Sequence, residues 1–574
     1  MLNKKRTMLI GFATVAVMAF WSVCPVQAFA AFDPSSPESW MEDAKNPVNP
    51  DSIYPHTDHD DLTPAGISYS GYDNTKANIV IEELRKYVKA TDEKGSEILD
   101  AETSIPLLVE SLLDETDKLY TQYELLNIEY YRNVNDEKIS DEASRVYQDF
   151  VDVSDRSLQV LRDVLKGPNG DILKKDLTKD QGEYLSEYED MTKREKKLIK
   201  KEDDLVQEYD KLSLNTDDFK ADNKDFVRIY SDLIDIRTEL AEIYGYDSYP
   251  EYAYEKVYNR DYSCEDARAL AENVKKYIVP IFVKCTEDFY SSDIYPLLSY
   301  ADDGDTILGN IAPYISELDP ELRSAFNYLR RNHTYDLDYS PDKMDVGYTV
   351  DLPQYGALFI FNTPYREAID YTMTIHEFGH YNAGFHDMQR TLLAQEMSYD
   401  LAEIQSQGLE MLFLDYYDEI FKDASDAATK EALTNILSSV VTGCMYDEFQ
   451  QEVFANPDMT GKEMNALSAR LAEEYGMVEA GYENKDEAKY SWAAIPHTYE
   501  SPMYYISYAT SALSALDILA ESMDNRGAAV DKYMEVSAVD HDLAYIEGLK
   551  ACGLNNVFEK GTIKEISEKI EKLQ

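Results

Sequence analysis

The chain has 574 residues, and its hydrophobic content of 44% is ordinary for a globular protein, which excludes both a disordered chain and a polytopic membrane protein. A length of this order predicts more than one structural unit. The formal net charge of −55 at pH 7 repels phosphate backbones and therefore argues against nucleic-acid binding. The same charge favours solubility and attracts cationic peptides.

The first segment, residues 1–30, has the pattern of an export signal. Three basic residues at positions 4–6 precede an uncharged apolar run, and the small-x-small triplet Ala28–Ala30 follows it. We therefore expect cleavage after Ala30, a secreted protein, and no membrane span in the mature chain. Retention at the cell surface, by a lipid on Cys24 or by an uncleaved anchor, is the minor alternative, because no small residue stands directly before that cysteine.

A polar, Pro-rich linker is predicted over residues 31–76, followed by helical domains at 77–210 and 211–574. Apolar residues at three–four spacing predict helices at 105–131, 142–167, 181–213, 223–245 and 265–291. Strand patterns are scarce, and the one predicted strand is ALFIFN, Ala357–Asn362. The predicted fold class is mainly α with a small β-sheet.

Four cysteines lie beyond the export signal: Cys264, Cys285, Cys444 and Cys552. They are widely separated and form no Cys-x-x-Cys pair, which argues against a thiolate zinc site. One or two disulfides remain open, because exported proteins fold in oxidising compartments.

The stretch TIHEFGHYNAGFH, Thr374–His386, holds three of the chain's eight histidines. It contains the pattern His-Glu-x-x-His at positions 376–380. Residues four apart on a helix project to the same side, so His376 and His380 can bind one zinc ion at about 2.0–2.1 Å. Glu377 can then accept a proton from a water polarised by the metal without binding the metal itself. Five residues can also match by chance, so the pentad alone is a hypothesis.

A catalytic zinc site needs a third protein ligand and an open fourth position. Glu403 lies 23 residues after His380, which leaves room for a turn and a second helix. Glu410 follows two helical turns later on the same face, where it is predicted to hydrogen-bond a liganding imidazole. Acidic side chains on an otherwise apolar face need partners, which favours metal binding over a solvated surface.

A second cluster lies in WAAIPHTYESPMYYISYATSAL, which contains His497, Tyr504, Tyr505 and Tyr508. Tyrosine and histidine can donate hydrogen bonds to the oxyanion of a tetrahedral intermediate, and losing one such donor lowers the rate by about 10²–10³-fold. Core packing is the other interpretation of an aromatic run at helical spacing. For Tyr504 the two interpretations have equal weight.

Together these segments resemble the thimet oligopeptidase and oligoendopeptidase F family of zinc peptidases. The resemblance extends over roughly residues 210–550, and the segments that carry it are IRTELAEIYGYDSYPEYAYEKVYNRDYS (236–263), YGALFIFN (355–362), HEFGH (376–380), AEIQSQGLE (402–410) and IPHTYESPMYYISYAT (495–510). This combination is specific, whereas the pentad alone is not.

The resemblance implies a large helical body divided by a deep substrate channel, with a zincin-type active site in the domain at 211–574. One Zn²⁺ per chain would be bound by His376, His380 and Glu403, and Glu377 would be the general base. The residues that would stabilise the oxyanion or hold the substrate are His497, Tyr505 and Tyr508.

The resemblance also implies a substrate-binding strand. ALFIFN would be an edge strand on which an extended peptide pairs through its backbone. The residues assigned to substrate binding are Gly356, Ala357, Leu358, Phe359 and Tyr504.

Two departures from the family pattern concern details. Ala383 stands where relatives commonly have a further His, so His386 is predicted to be a bystander. The tyrosine segment is one residue out of step, which leaves Tyr504 and Tyr505 as alternatives. His333 and His541 are assigned to ordinary structure.

The predicted function is a secreted zinc oligoendopeptidase that hydrolyses internal bonds of short, unfolded peptides. A dipeptidyl or carboxypeptidase on the same scaffold is the alternative among enzymes. A catalytically inactive peptide-binding protein is the alternative outside enzymes, and a purely structural zinc site would require a fourth protein ligand. The sequence predicts no oligomeric state.

Overall fold

The computed structural model describes residues 67–89, 100–187, 192–213, 215–216, 218–291, 298–299, 302–344, 346–388, 390–394 and 397–573. The predicted export signal and most of the predicted linker lie outside the described residues. Across the described part of the chain, no helix is both long enough and apolar enough to cross a membrane.

The α-helices follow one another along the chain. Helices α1–α5 are Thr75–Arg85, Ala101–Arg132, Glu137–Lys166, Gly170–Leu173 and Lys179–Glu187. Helices α6–α10 are Lys193–Ser213, Asn223–Ile243, Tyr249–Tyr252, Cys264–Tyr277 and Val279–Ser291. Helices α11–α15 are Gly304–Leu318, Pro320–Asn332, Ile369–His386, Tyr399–Phe413 and Tyr417–Phe421. Helices α16–α21 are Ser425–Ala455, Gly461–Glu474, Pro496–Glu500, Ile506–Ser537, Tyr545–Ala551 and Thr562–Ile570.

Three strands form one small sheet in the order β1-β3-β2. They are β1, Tyr335–Asp336, β2, Gly347–Leu352, and β3, Ala357–Asn362. β2 pairs antiparallel with β3 along its whole length, whereas β1 pairs parallel with β3 only at Ile360 and Phe361. The predicted fold class, mainly α with a small sheet, is confirmed.

The predicted strand ALFIFN is confirmed as β3, but it is not an edge strand along its whole length. β3 lies between β1 and β2, and β1 pairs with it only at Ile360 and Phe361, so Ala357–Phe359 have a strand partner on one side only within the described residues. β2 was not predicted, although its sequence GYTVDL alternates: Tyr348, Val350 and Leu352 face a buried apolar cluster. Gly356 joins β2 to β3 with φ +56°, a left-handed conformation that glycine adopts without a steric penalty.

The helix predictions at 105–131, 142–167 and 223–245 are confirmed by α2, α3 and α7. The helical prediction at 265–291 is confirmed except at Ile278, where the run divides into α9 and α10. Pro280, the second residue of α10, has no backbone N–H, and the first turn of α10 bonds back to the carbonyl of Ile278. The predicted segment 181–213 is likewise divided between α5 and α6.

The chain divides into two compact units, and each is built from two separate segments. Unit 1 comprises Met1–Glu189 and Tyr300–Glu396, and unit 2 comprises Asp190–Ser299 and Met397–Gln574. These units alternate along the chain, so they do not coincide with the predicted sequential domains at 77–210 and 211–574.

Unit 1 has a helical core and carries the sheet. Leu84 of α1, Ile105 and Leu112 of α2, and Val146 and Phe150 of α3 belong to one buried cluster. Helix α13 packs against β2 and β3 and against α11 and α12. The sheet therefore supports the helix that carries the histidine pentad.

Unit 2 is centred on α19, which packs against both α14 and α16. Gly408 allows α14 to approach α19 closely, because a Cβ at this position would lie 3.0 Å from Ile518 Cδ1. The cysteines that the structure describes are all buried, and none of them forms a disulfide: Cys264, Cys285, Cys444 and Cys552. The possible disulfides among these four residues are therefore not formed.

Candidate active site

Helix α13 places the histidine pentad inside unit 1. The buried carboxylate of Asp370, the second residue of the helix, accepts hydrogen bonds from the backbone N–H groups of Tyr365, Arg366 and Glu367 at 2.8, 2.7 and 3.2 Å. These bonds satisfy donors in the turn that precedes the helix and connect that turn to the helix. His376 and Glu377 are only 6% and 4% exposed, so this turn of the helix lies in the protein interior.

The two pentad histidines face each other. Their ring centroids are 5.1 Å apart and their planes are inclined by 79°. Helical spacing places both imidazoles on one side of α13, as the sequence predicted.

Glu377 is held by the outer strand of the sheet. Thr349 Oγ1 of β2 donates to two oxygens of Glu377, the carboxylate Oε2 at 2.8 Å and the backbone carbonyl oxygen at 2.9 Å. A Cβ on Gly347 would lie 3.4 Å from Glu377 Oε1 and 3.0 Å from Asn362 Oδ1, so glycine leaves room for this carboxylate. Neither Thr349 nor Gly347 was among the predicted site residues, although both lie in the alternating pattern of GYTVDL.

Glu403 completes a group that could hold a metal ion. His376, His380 and Glu403 each offer one ligand atom, and these atoms all lie within 4.8 Å of one another. Ser406 Oγ donates to Glu403 Oε2 at 3.1 Å, which orients the carboxylate from within α14. The donor set of two imidazole nitrogens and one carboxylate oxygen fits a catalytic zinc ion, which takes three protein ligands.

His386 does not belong to this group. Its Nε2 lies 4.0 Å from Glu321 Oε2 of α12, and burial lowers the pKa of its imidazole. The prediction that His386 is a bystander agrees with this position. His333 ends α12 in a left-handed conformation with φ +48°, which is a structural role as predicted.

Glu410 lies on α14 two turns after Glu403 and is 5% exposed. Its predicted hydrogen bond to a liganding imidazole stays a prediction.

His497 and three tyrosines form an aromatic cluster in unit 2. The His497 ring centroid lies 5.3, 5.2 and 5.9 Å from those of Tyr504, Tyr505 and Tyr508. Burial lowers the pKa of His497 to about 4, so its imidazole is neutral at pH 7. The structure therefore assembles the residues that the sequence placed in one cluster.

Exposure separates Tyr504 from its neighbours. Tyr504 is 2% exposed and packs edge-on against Tyr258 and Tyr399, whereas Tyr505 and Tyr508 remain partly accessible. Burial, followed by the neighbouring Tyr505 and then Glu403, raises the pKa of the Tyr508 hydroxyl, which keeps this group a donor. Tyr505 and Tyr508 are therefore the more accessible of the three tyrosines, whereas Tyr504 packs in the interior.

Comparisons with known proteins agree with this site. Residues 338–535 match the family described as peptidase family M3. A solved structure provisionally described as an oligoendopeptidase F is 21% identical with a TM-score of 0.70, and the match covers 89% of this chain and 98% of that one. PZ peptidase A bound to an inhibitor is 20% identical with the same TM-score and coverages. An M32 carboxypeptidase from Deinococcus radiodurans R1 is 11% identical with a TM-score of 0.57, covering 82% and 99%.

These likenesses to solved structures establish the fold, and the comparison with curated proteins found no match. The family match spans the pentad, Glu403 and the His497–Tyr508 cluster. The protein is therefore a zinc metallopeptidase by class. Residues 338–535 match peptidase family M3, in agreement with the family and the enzyme class that the sequence predicted.

Proposed function

We propose that the protein is an exported, single-zinc oligoendopeptidase that hydrolyses internal bonds of short, unfolded peptides. The observation that supports this most directly is the grouping of His376, His380 and Glu403 within 4.8 Å, next to a carboxylate at Glu377 that is not a ligand. This combination of three ligands and a separate base is the arrangement of a catalytic site, since a structural zinc site would use four protein ligands.

The chain's own residues have distinct roles in the proposed reaction. Zinc, when bound, supplies Lewis acidity that makes water acidic enough to lose a proton near neutral pH. Glu377 accepts that proton as the water attacks the scissile carbonyl, and it delivers the proton to the leaving amine. Tyr505 and Tyr508 donate hydrogen bonds to the carbonyl oxygen as negative charge develops on it. His497, which is neutral, packs against both rings and limits their positions.

The outer strand of the sheet supports a revised substrate position. Within the described residues, β2 has one edge without a strand partner along its whole length, whereas the first residues of β3, Ala357–Phe359, lack a partner only on the side of β1. We propose that an extended peptide pairs with this edge of β2, Gly347–Leu352, through backbone hydrogen bonds. The predicted contact of substrate with Gly356, Ala357, Leu358 and Phe359 stays the alternative, because β1 pairs only with Ile360 and Phe361 of β3.

A terminal-cleaving peptidase is the second candidate. The fold is shared with the M32 carboxypeptidase at a TM-score of 0.57, so the scaffold by itself fits either mode of cleavage. A peptide-binding protein without activity is less well supported, because binding alone has no use for Glu377 beside the ligands.

Quenched fluorescent peptides of graded length test the proposal. We expect zinc-dependent cleavage at internal bonds, loss of cleavage with a chelator, and products whose masses identify the broken bond. Glu377→Gln should retain zinc and lose turnover, because the amide cannot accept the proton. Stepwise loss of terminal residues would support the carboxypeptidase, and a zinc-bound wild type without cleavage would support the binding protein.

Export is a separate part of the proposal and rests on the basic, apolar and small-x-small pattern of residues 1–30. Expression of the full chain in a bacterial host, followed by N-terminal sequencing of the protein recovered outside the cells, tests it. We expect the mature chain to begin at Ala31. A chain that stays in the cells with its first residues intact would contradict export.

A further inference from the structure

Two buried arginines of unit 2 contact the backbone of the segment that carries His497, Tyr505 and Tyr508. Arg237 of α7 donates to the carbonyl oxygens of Thr498 and Tyr499, the two residues that follow His497. Arg260 donates to the carbonyl oxygens of Met503 and Tyr504, at 2.8 and 3.4 Å. The side chains of both arginines are 0% exposed.

Each guanidinium is paired with a buried carboxylate. Arg237 Nε donates to Glu202 Oε1 of α6 at 2.8 Å, and Arg260 Nε donates to Asp400 Oδ2 of α14 at 3.2 Å. The side chains of both acids are also 0% exposed. Buried ion pairs contribute little net stability compared with apolar packing, so their presence at two ends of one segment calls for another explanation.

The second pair also connects the segment to the helix of Glu403. Asp400 lies one helical turn before Glu403 on α14, and its carboxylate accepts from Tyr262 at 2.6 Å and from Thr510 of α19 at 2.5 Å. Arg260 Nη2 donates to Ser507 Oγ at 2.8 Å. One buried network therefore joins the start of α14 to the start of α19, on which Tyr508 lies.

The backbone of residues 498–504 is strained at Met503, whose carbonyl oxygen accepts from Arg260. Met503 has φ +66°, a left-handed conformation that is unfavourable for a residue with a side chain. Its N–H donates to Gln450 Oε1 at 2.9 Å, while its carbonyl oxygen accepts from Arg260. The surrounding structure thus determines this turn from both sides.

We propose that Arg237 and Arg260 are positioning residues for catalysis: they fix His497, Tyr505 and Tyr508 relative to Glu403 through the backbone at both ends of residues 498–504. The inference rests on the proposed function, since it concerns groups that would contact the reacting carbonyl. Displacement of such groups by about 1 Å can lower a rate by 10²-fold without affecting a metal ligand.

Two variants test this role. Arg260→Lys keeps a charge beside Asp400 but cannot reproduce the forked contacts with two carbonyl oxygens. The double variant Arg237→Met with Glu202→Leu removes both partners of the first ion pair. Both are replaced because apolar replacement of a whole buried pair is often neutral for stability, whereas replacing one partner leaves the other charge buried and unpaired. Ile566→Ala on α21, a buried residue that is 2% exposed, is the control for loss of stability alone.

We expect kcat to fall by about 10- to 100-fold in both test variants, with KM and zinc affinity unchanged. Amide hydrogen exchange in residues 498–508 should become faster in these variants and stay unchanged in Ile566→Ala. Wild-type kcat together with wild-type exchange would overturn the inference, as would an equal loss of kcat in Ile566→Ala. If the wild type itself cleaves no peptide, the proposed function fails, and the exchange measurement still decides whether the arginines hold the segment.

Discussion

Thr349 Oγ1 donates a hydrogen bond of 2.8 Å to Oε2 of Glu377, so the outer strand of the sheet holds the proposed general base. The two residues are 28 positions apart in sequence, and no short motif relates them. A hydrogen bond to a charged group contributes about 1.5–3 kcal/mol, which is large enough to orient a carboxylate for proton transfer.

Thr349→Val tests this contact, because valine keeps the shape of the side chain and removes the donor. We expect kcat to fall by about 10- to 100-fold with KM little changed, as follows from losing about 1.5–3 kcal/mol at the base. Thr349→Ser retains the hydroxyl and should recover most of the activity. Equal steady-state rates for the valine and serine variants would show that the hydrogen bond has no catalytic role.

Tyr508→Phe and Tyr504→Phe separate the two interpretations of the aromatic cluster. Tyr508 is partly accessible and is expected to donate to the oxyanion, so its loss should lower kcat by about 10²–10³-fold. Tyr504 is 2% exposed, and its substitution should leave kcat nearly unchanged. The reverse order of effects in a peptide-cleavage assay would assign the catalytic contact to Tyr504.

Backbone pairing with β2 predicts the response to N-methylated substrates. A methyl group on a peptide nitrogen removes the donor that a strand edge requires, so methylation at alternate residues should raise KM. Methylation of the intervening nitrogens, which point away from the strand, should have little effect. A scan of singly methylated peptides measures this, and a uniform response at all positions would contradict strand addition.

Zinc removal tests the ligand group. A ligand that binds only the folded state at about 100 times its Kd adds about 2.7 kcal/mol to the free energy of unfolding, so chelation should lower Tm and zinc should restore it. His380→Ala should abolish this zinc-dependent change in Tm. His386→Ala should retain it, because His386 contacts Glu321 outside the ligand group.

Glu124 of α2 predicts a pH dependence of stability. Burial raises the pKa of its carboxyl from 4.5 to about 8, so the folded protein keeps a proton that the unfolded chain releases. The free energy of unfolding therefore falls as pH rises from about 4.5 to 8. Glu124→Gln removes the titrating group and should stabilise the protein at pH 8 relative to wild type, by on the order of 2–4 kcal/mol, with no such gain at pH 4.

Thermal unfolding of both proteins across this pH range measures the difference. Glu102→Gln, an exposed position on the same helix, is the matched control and should show no pH-dependent gain. A constant difference between Glu124→Gln and wild type from pH 4 to 8 would contradict a raised pKa.

Much of the site follows from local sequence patterns. The spacing of His376 and His380 determines that both imidazoles leave one side of a helix, and the apolar run ALFIFN determines a strand. The amphipathic runs likewise predict most helices. The breaks between α5 and α6 and between α9 and α10 were missed, although Pro280 explains the second of them.

The sequence by itself predicted the groups of the candidate site: a helical histidine pentad, an acidic third ligand, a separate base and an aromatic cluster. Tertiary structure decided which strand lies at the edge of the sheet, because strand order depends on pairing between distant segments and not on the pattern of one strand. It also distinguishes the buried Tyr504 from the partly accessible Tyr505, since adjacent residues of similar chemistry differ only in what packs around them. The contacts of Thr349, Arg237 and Arg260 are likewise long-range, and their donors and acceptors meet only in the folded chain.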